Sequence, residues 1–167
     1  MDPFDFIMGP LDFISKYFWL MALVATGASL AMVKLRSTNR IRQNPELAEG
    51  YSTLFRRYLI DTTIPVLVMA IGFTVGKIPT IWYYFRPRDG NPYVLAWFAS
   101  IFFFAIVEGY WLFFKGGAEM LTRHPGAFNM NFASPLVLKL FWLLGLSGAI
   151  LATIFMLVMN FPSFSFR

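Results

Sequence analysis

Four apolar runs separated by short polar stretches organise this chain: 17–34, 58–85, 93–115 and 135–160. About 20 apolar residues cross the ~30 Å of hydrocarbon in a bilayer. Each run reaches that range, the first only just, so the pattern predicts four transmembrane helices. The third run carries the clearest signal. It starts at Asn91-Pro92, where Asn suits the cap and Pro the first helical position. From Tyr93 to Phe114 it is interrupted by one formal charge, Glu108. It stops at Lys115-Gly116-Gly117, and the sole histidine, His124, follows shortly after.

The other runs differ in their punctuation. The first opens on Tyr17-Phe18-Trp19 and closes at Lys34-Leu35-Arg36. Ahead of it lie three aspartates and no basic residue before Lys16. A signal peptide has a positive n-region and a cleavage site, so this stretch is expected to be retained. Its Phe4, Phe6, Ile7, Leu11 and Phe13 suit a segment lying in the interface. The loop 35–57 is the most polar part of the chain, with a short helix start at Asn44-Pro45-Glu46 and Ser52 placed to cap the next helix. The second run holds Asp61, Pro65, Lys77 and Pro79 and ends in an aromatic group, Trp82-Tyr83-Tyr84-Phe85, that fits an interfacial belt. Its length and its prolines predict a kink or tilt. The turn from Arg86 to Pro92 makes the second and third spans antiparallel neighbours. After the third span, 118–124 reads as a turn or two of interfacial helix halted by Pro125-Gly126, and Ser134-Pro135 repeats the cap-plus-proline start. Phe161, Phe164 and Phe166 finish the chain at the opposite surface. No internal or inverted repeat of the transporter kind is visible.

Composition narrows the class. Of 167 residues 57% are hydrophobic and only 14% charged, against roughly 25% charged in soluble domains. A soluble fold would have to expose much of that apolar surface. The chain has no cysteine, which removes disulfides, thiolate metal sites and a cysteine nucleophile. A single histidine removes a bis-histidine haem within one chain. The net charge of +5 does not form the aromatic-interleaved basic face that nucleic acid would need. The basic residues flank the spans instead. Lys34, Arg36, Arg40, Arg42, Arg56, Arg57, Lys115, Arg123 and Lys139 fall on one side; Lys16, Arg86, Arg88 and Arg167 fall on the other. By the positive-inside rule the larger group faces the cytoplasm. The expected fold is therefore an all-α, integral membrane four-helix bundle with cytoplasmic loops at 35–57 and 116–134 and both termini on the non-cytoplasmic side. Its place is the plasma membrane or a bacterial inner membrane.

Candidate chemistry is sparse. An ionisable group inside a span costs about 2.5–3.5 kcal/mol on insertion scales, so Glu108 should face the bundle interior or a partner. It precedes Lys115 by about 10 Å of helical rise. Asp61 enters the second span from the same side, four residues after Arg57, so the two carboxylates form a candidate intramembrane polar site at similar depth. One reading is a proton or cation site, or a polar pocket for a partner. The other is a hydrogen bond from Glu108 to a neighbouring helix, with Asp61 capping or pairing with Arg57. Lys77 is placed to snorkel to the headgroups. His124 is a possible ligand or interface residue, but one imidazole without partners does not make a metal site. Small residues four apart permit close helix approach: Gly72 with Gly76, Gly27 with Ala31, Gly145 with Ala149, and Gly148 with Ala152. The third span is instead bulky and aromatic, a surface for lipid, a neighbouring subunit, or a bound hydrophobic pigment or quinone. No cofactor or metal is called for by any motif, and no nucleotide-binding, nucleophile-elbow or zinc-protease signature occurs.

These features point away from an enzyme. The leading expectation is an accessory or scaffolding membrane subunit that packs against other membrane subunits or copies of itself. The alternatives are a homo-oligomeric channel with Glu108 in its path, and a lipid- or quinone-interacting enzyme or carrier using Glu108, Asp61 and His124.

Overall fold

A computed structural model describes residues 3–127 and 134–159, the side chains of 3–9 aside. The side chains of Phe4, Phe6 and Ile7, the linker 128–133, and Phe161, Phe164 and Phe166 lie outside the described residues. The described chain is all-helical. It comprises α1 (Pro3–Gln43), α2 (Ala48–Thr74), α3 (Pro92–Phe114), α4 (Gly117–Arg123) and α5 (Pro135–Val158), with short 3-10 turns at Pro45–Leu47, Ile81–Phe85 and Pro87–Asp89.

The first helix is longer than its apolar run. Its 41 residues span about 60 Å at 1.5 Å per residue, roughly twice the hydrocarbon thickness. The segment 35–43 was expected as loop, yet it contains neither Gly nor Pro, and it continues the helix as a basic extension. The stop comes at Asn44 (φ −137°, ψ 84°), because the residue before a proline is pushed out of the α region. With α2 beginning at Ala48, the polar loop shrinks to a helix–helix turn. Arg40 and Arg42 occupy the last turn of α1, where cations offset the helix dipole. The hydroxyls of Ser29 and Tyr58 meet at 2.6 Å and tie α1 to α2.

The second helix is shorter than its apolar run, which was expected to stay helical to Phe85. It ends at Thr74, with Gly76 N–H donating to Ile71 O and Ile78 N–H to Gly72 O, both at 3.1 Å. Between them Lys77 takes a left-handed φ of +50°, a conformation that L residues adopt at a cost. The chain then turns back, and Ile81–Phe85 folds against α1, α2 and α3. Here Tyr84, 1% exposed, stacks on Phe73 and meets Trp97 edge-on, and its hydroxyl donates to Met69 O at 2.8 Å. Asn91 caps α3, its Oδ1 accepting from Tyr93 N–H at 3.0 Å, and Ser134 caps α5 by accepting from Val137 N–H at 3.3 Å.

Two buried clusters hold the helices. One, at the Pro79 end, joins Met69, Ile78, Ile81, Tyr84 and Val94; the other, at the Lys115 end, joins Tyr51, Leu54, Trp111, Leu112, Ala118, Ala127 and Leu138. Along α1, α2 and α3 the helices pack in sequence order. By contrast α5 buries only Leu138, and its Leu140, Leu144, Leu151, Ile154 and Val158 are exposed. Three helical segments, Pro10–Gln43, Pro92–Phe114 and Pro135–Val158, are long and apolar enough to cross a membrane.

Candidate functional site

The polar centre of the molecule lies where α2 and α3 pass each other. Arg57 Nη2 reaches Glu108 Oε1 at 3.0 Å, with the two side chains 28% and 19% exposed. The guanidinium also lies over the Trp111 ring, its Cζ 4.2 Å from the centroid. Glu108 and Trp111 are three residues apart on α3 and therefore share a face, so one cation is gripped by a carboxylate and an aromatic from a single helix. Asp61, one turn beyond Arg57 on α2, lies near Glu108 and within the field of Arg57. The structure thus brings Asp61 and Glu108 together on adjacent helices. It also supplies Glu108 with a partner, Arg57, which the sequence alone offers as a topology signal or as the mate of Asp61. The available signal was spacing, Arg57/Asp61 at i,i+4 facing Glu108/Trp111 at i,i+3.

Charge arithmetic defines what this cluster can do. Two carboxylates and one guanidinium sum to −1 when all are ionised, and a net charge among apolar side chains is costly. One shared proton or one bound cation removes it. Arg57 Nε is buried and has no hydrogen-bond partner among the described residues. No group of three or more His, Cys, Asp or Glu able to hold a metal occurs among them either.

His124 sits elsewhere, 8% exposed. Its Nδ1 lies 2.7 Å from Met120 O, its ring meets Tyr51 edge-on at 4.9 Å, and a Cβ at Gly50 would collide with it. Next door Tyr51 Oη donates to Pro125 O at 3.0 Å, and burial raises the affinity of that hydroxyl for its proton, partly offset by Arg40. His124 therefore locks the Pro125-Gly126 turn onto the start of α2. Lys77 is exposed at the α2 terminus, away from the cluster.

The glycines divide into two groups. Gly72 makes room for the Tyr84 hydroxyl and Gly76 for the Tyr93 ring, so within this chain both admit aromatic side chains where close backbone approach was expected. Three glycines outside the four-residue spacings do the same, Gly50 for the His124 ring, Gly109 for Trp142 of α5 and Gly117 for Trp111. At Gly27, Gly145 and Gly148 an added Cβ would meet nothing within 4 Å.

The chain is a membrane protein by its three long apolar helices, whose exposed faces suit contact with lipid. No protein family, no curated protein and no solved structure matches it.

Proposed function

We propose that this chain is a multi-pass membrane subunit whose polar cluster clamps helices together and carries out no reaction. The observation that carries this reading is the 3.0 Å pair between Arg57 and Glu108. It satisfies the one acid of α3 from within the chain. In this reading α2 is a fourth span. It packs along both α1 and α3 and connects the end of one to the start of the other, so it crosses wherever they cross. The basic extension of α1 and the α4 region then face the cytoplasm, and both termini lie outside, as the distribution of Lys and Arg favours. The thinly packed α5, with Gly145 and Gly148 open, is the surface offered to another subunit or a second copy.

The test is extraction from native membranes under mild conditions, followed by mass measurement of the intact particle. A stoichiometric partner or a defined oligomer is expected. A lone monomer that conducts ions or protons in liposomes would overturn the subunit reading. It would favour the second one, which rests on Asp61: two carboxylates facing one guanidinium leave a place for a transported proton or cation.

A further inference from the structure

At the level where α1 leaves its apolar span, a groove of about 210 Å³ opens between the α1 extension and the first turns of α2. Its polar rim is Lys34 on α1 and Ser52 on α2, and Ile41, Tyr51 and Phe55 form its apolar wall. None of the residues lining it is acidic. The hydroxyls of Ser37 and Thr38 on the groove side already donate to Val33 O and Lys34 O, and Tyr51 Oη donates to Pro125 O. The donors left facing the groove are therefore the Lys34 ammonium and the Ser52 hydroxyl. Around it the chain from 34 to 56 holds Lys34, Arg36, Arg40, Arg42 and Arg56, against Glu46 and Glu49 at the turn.

We propose that this groove binds the phosphate headgroup of an anionic glycerophospholipid from the adjoining leaflet. Three independent features converge on that class of ligand. The groove starts at Lys34, the first charged residue after the apolar stretch of α1, so a lipid phosphate is already at its height. Basic clusters immediately beside a membrane helix attract anionic headgroups at about 1 kcal/mol per charge. The volume falls short of the roughly 300–1,000 Å³ of pockets that enclose a whole drug-sized ligand, and it suits a headgroup whose acyl chains stay in the bilayer. Phe55, on the membrane side, then meets the glycerol and the first methylenes, and Lys34 with Ser52 meets the phosphate oxygens. This inference requires only that α1 lies in a membrane, and it is independent of the subunit reading.

The test uses the full-length protein, purified in a mild detergent and titrated with phosphatidylglycerol or phosphatidylcholine while bound lipid is counted by native mass spectrometry. One phosphatidylglycerol per chain should be retained in preference to phosphatidylcholine. Lys34→Gln should weaken that binding about fivefold, the worth of one such charge. Ser52→Val should also weaken it while leaving every charge in place. Arg42→Gln, which removes the same charge outside the groove, should weaken it less than Lys34→Gln does. Inorganic phosphate at millimolar concentration should not displace the lipid. The proposal is overturned if phosphatidylcholine binds equally, or if Arg42→Gln matches Lys34→Gln, which would indicate a diffuse field. Displacement of the lipid by inorganic phosphate would identify free phosphate as the ligand and overturn the lipid assignment.

Discussion

The Tyr84 hydroxyl occupies the space that a side chain on Gly72 would need, and from there it donates to Met69 O at 2.8 Å. A residue outside the α-helices thereby closes the Pro79 end of the bundle. Gly72→Ala should cost about 1–3 kcal/mol through overpacking, and Tyr84→Phe about 1 kcal/mol through the lost hydrogen bond. Thermal unfolding in detergent measures both. Their combination should cost less than the sum, because removing the hydroxyl also makes room for the new methyl. Full additivity would mean that the two residues do not share this space.

Gly109 and Gly145 both lie inside apolar helices and differ in surroundings. A side chain at Gly109 would enter the Trp142 ring, whereas one at Gly145 meets nothing within the chain. Gly109→Leu should therefore detach α5 from α3 and lower the melting temperature, with a loss of about 2–4 °C for each kcal/mol. Gly145→Leu should leave the isolated chain as stable as the parent and disturb only an assembly that uses that face. Size measurement of both variants separates the cases, and an unstable monomeric Gly145→Leu would contradict the packing described.

Lys77 holds a left-handed backbone at φ +50° with its side chain exposed. Lys77→Gly should stabilise the chain by about 0.5–1 kcal/mol, since glycine adopts that conformation without the Cβ clash. Lys77→Ala should bring no such gain. A lower melting temperature for Lys77→Gly would show that the lysine side chain contributes a contact of its own.

The proposed orientation is tested by single cysteines at Gln43, at the end of α1, and at Asp89, in the turn before α3. In intact cells an impermeant thiol reagent should label the second and not the first. Labelling at Gln43 from outside would reverse the topology.

Local chemistry made much of the helical layout readable. The starts of α3 and α5 follow from Asn91-Pro92 and Ser134-Pro135, where a cap side chain and a proline act over a few residues. The continuation of α1 through 35–43 is less legible, because its polarity suits a loop while the absence of Gly and Pro before Asn44 is the stronger signal. The early end of α2 was hidden for the opposite reason. The stretch from Val75 to Phe85 remains apolar after the helix stops, and its burial depends on a fold-back that hydropathy does not encode. Within the cluster, the nearness of Asp61 to Glu108 follows from antiparallel spans. The choice of Arg57 as partner depends on the rotation of two helices about their axes, which only tertiary packing sets. The aromatic-accepting roles of Gly50 and Gly109 are equally non-local, since each is defined by a ring from another part of the chain.

The central claim, that Arg57 and Glu108 act as one clamp beside Asp61, makes an ordered prediction. Arg57→Gln leaves two carboxylates facing each other without a cation, whereas Glu108→Gln leaves Asp61 to balance Arg57. Breaking one side of a buried pair costs about 3–5 kcal/mol and an exposed pair about 0–1; side chains 28% and 19% exposed fall between. The most direct measurement is a double-mutant cycle on these two positions by thermal unfolding of the purified protein. Arg57→Gln should be the more damaging single change, and the double variant should be no worse than Arg57→Gln alone. Equal single effects that simply add in the double variant would contradict the account.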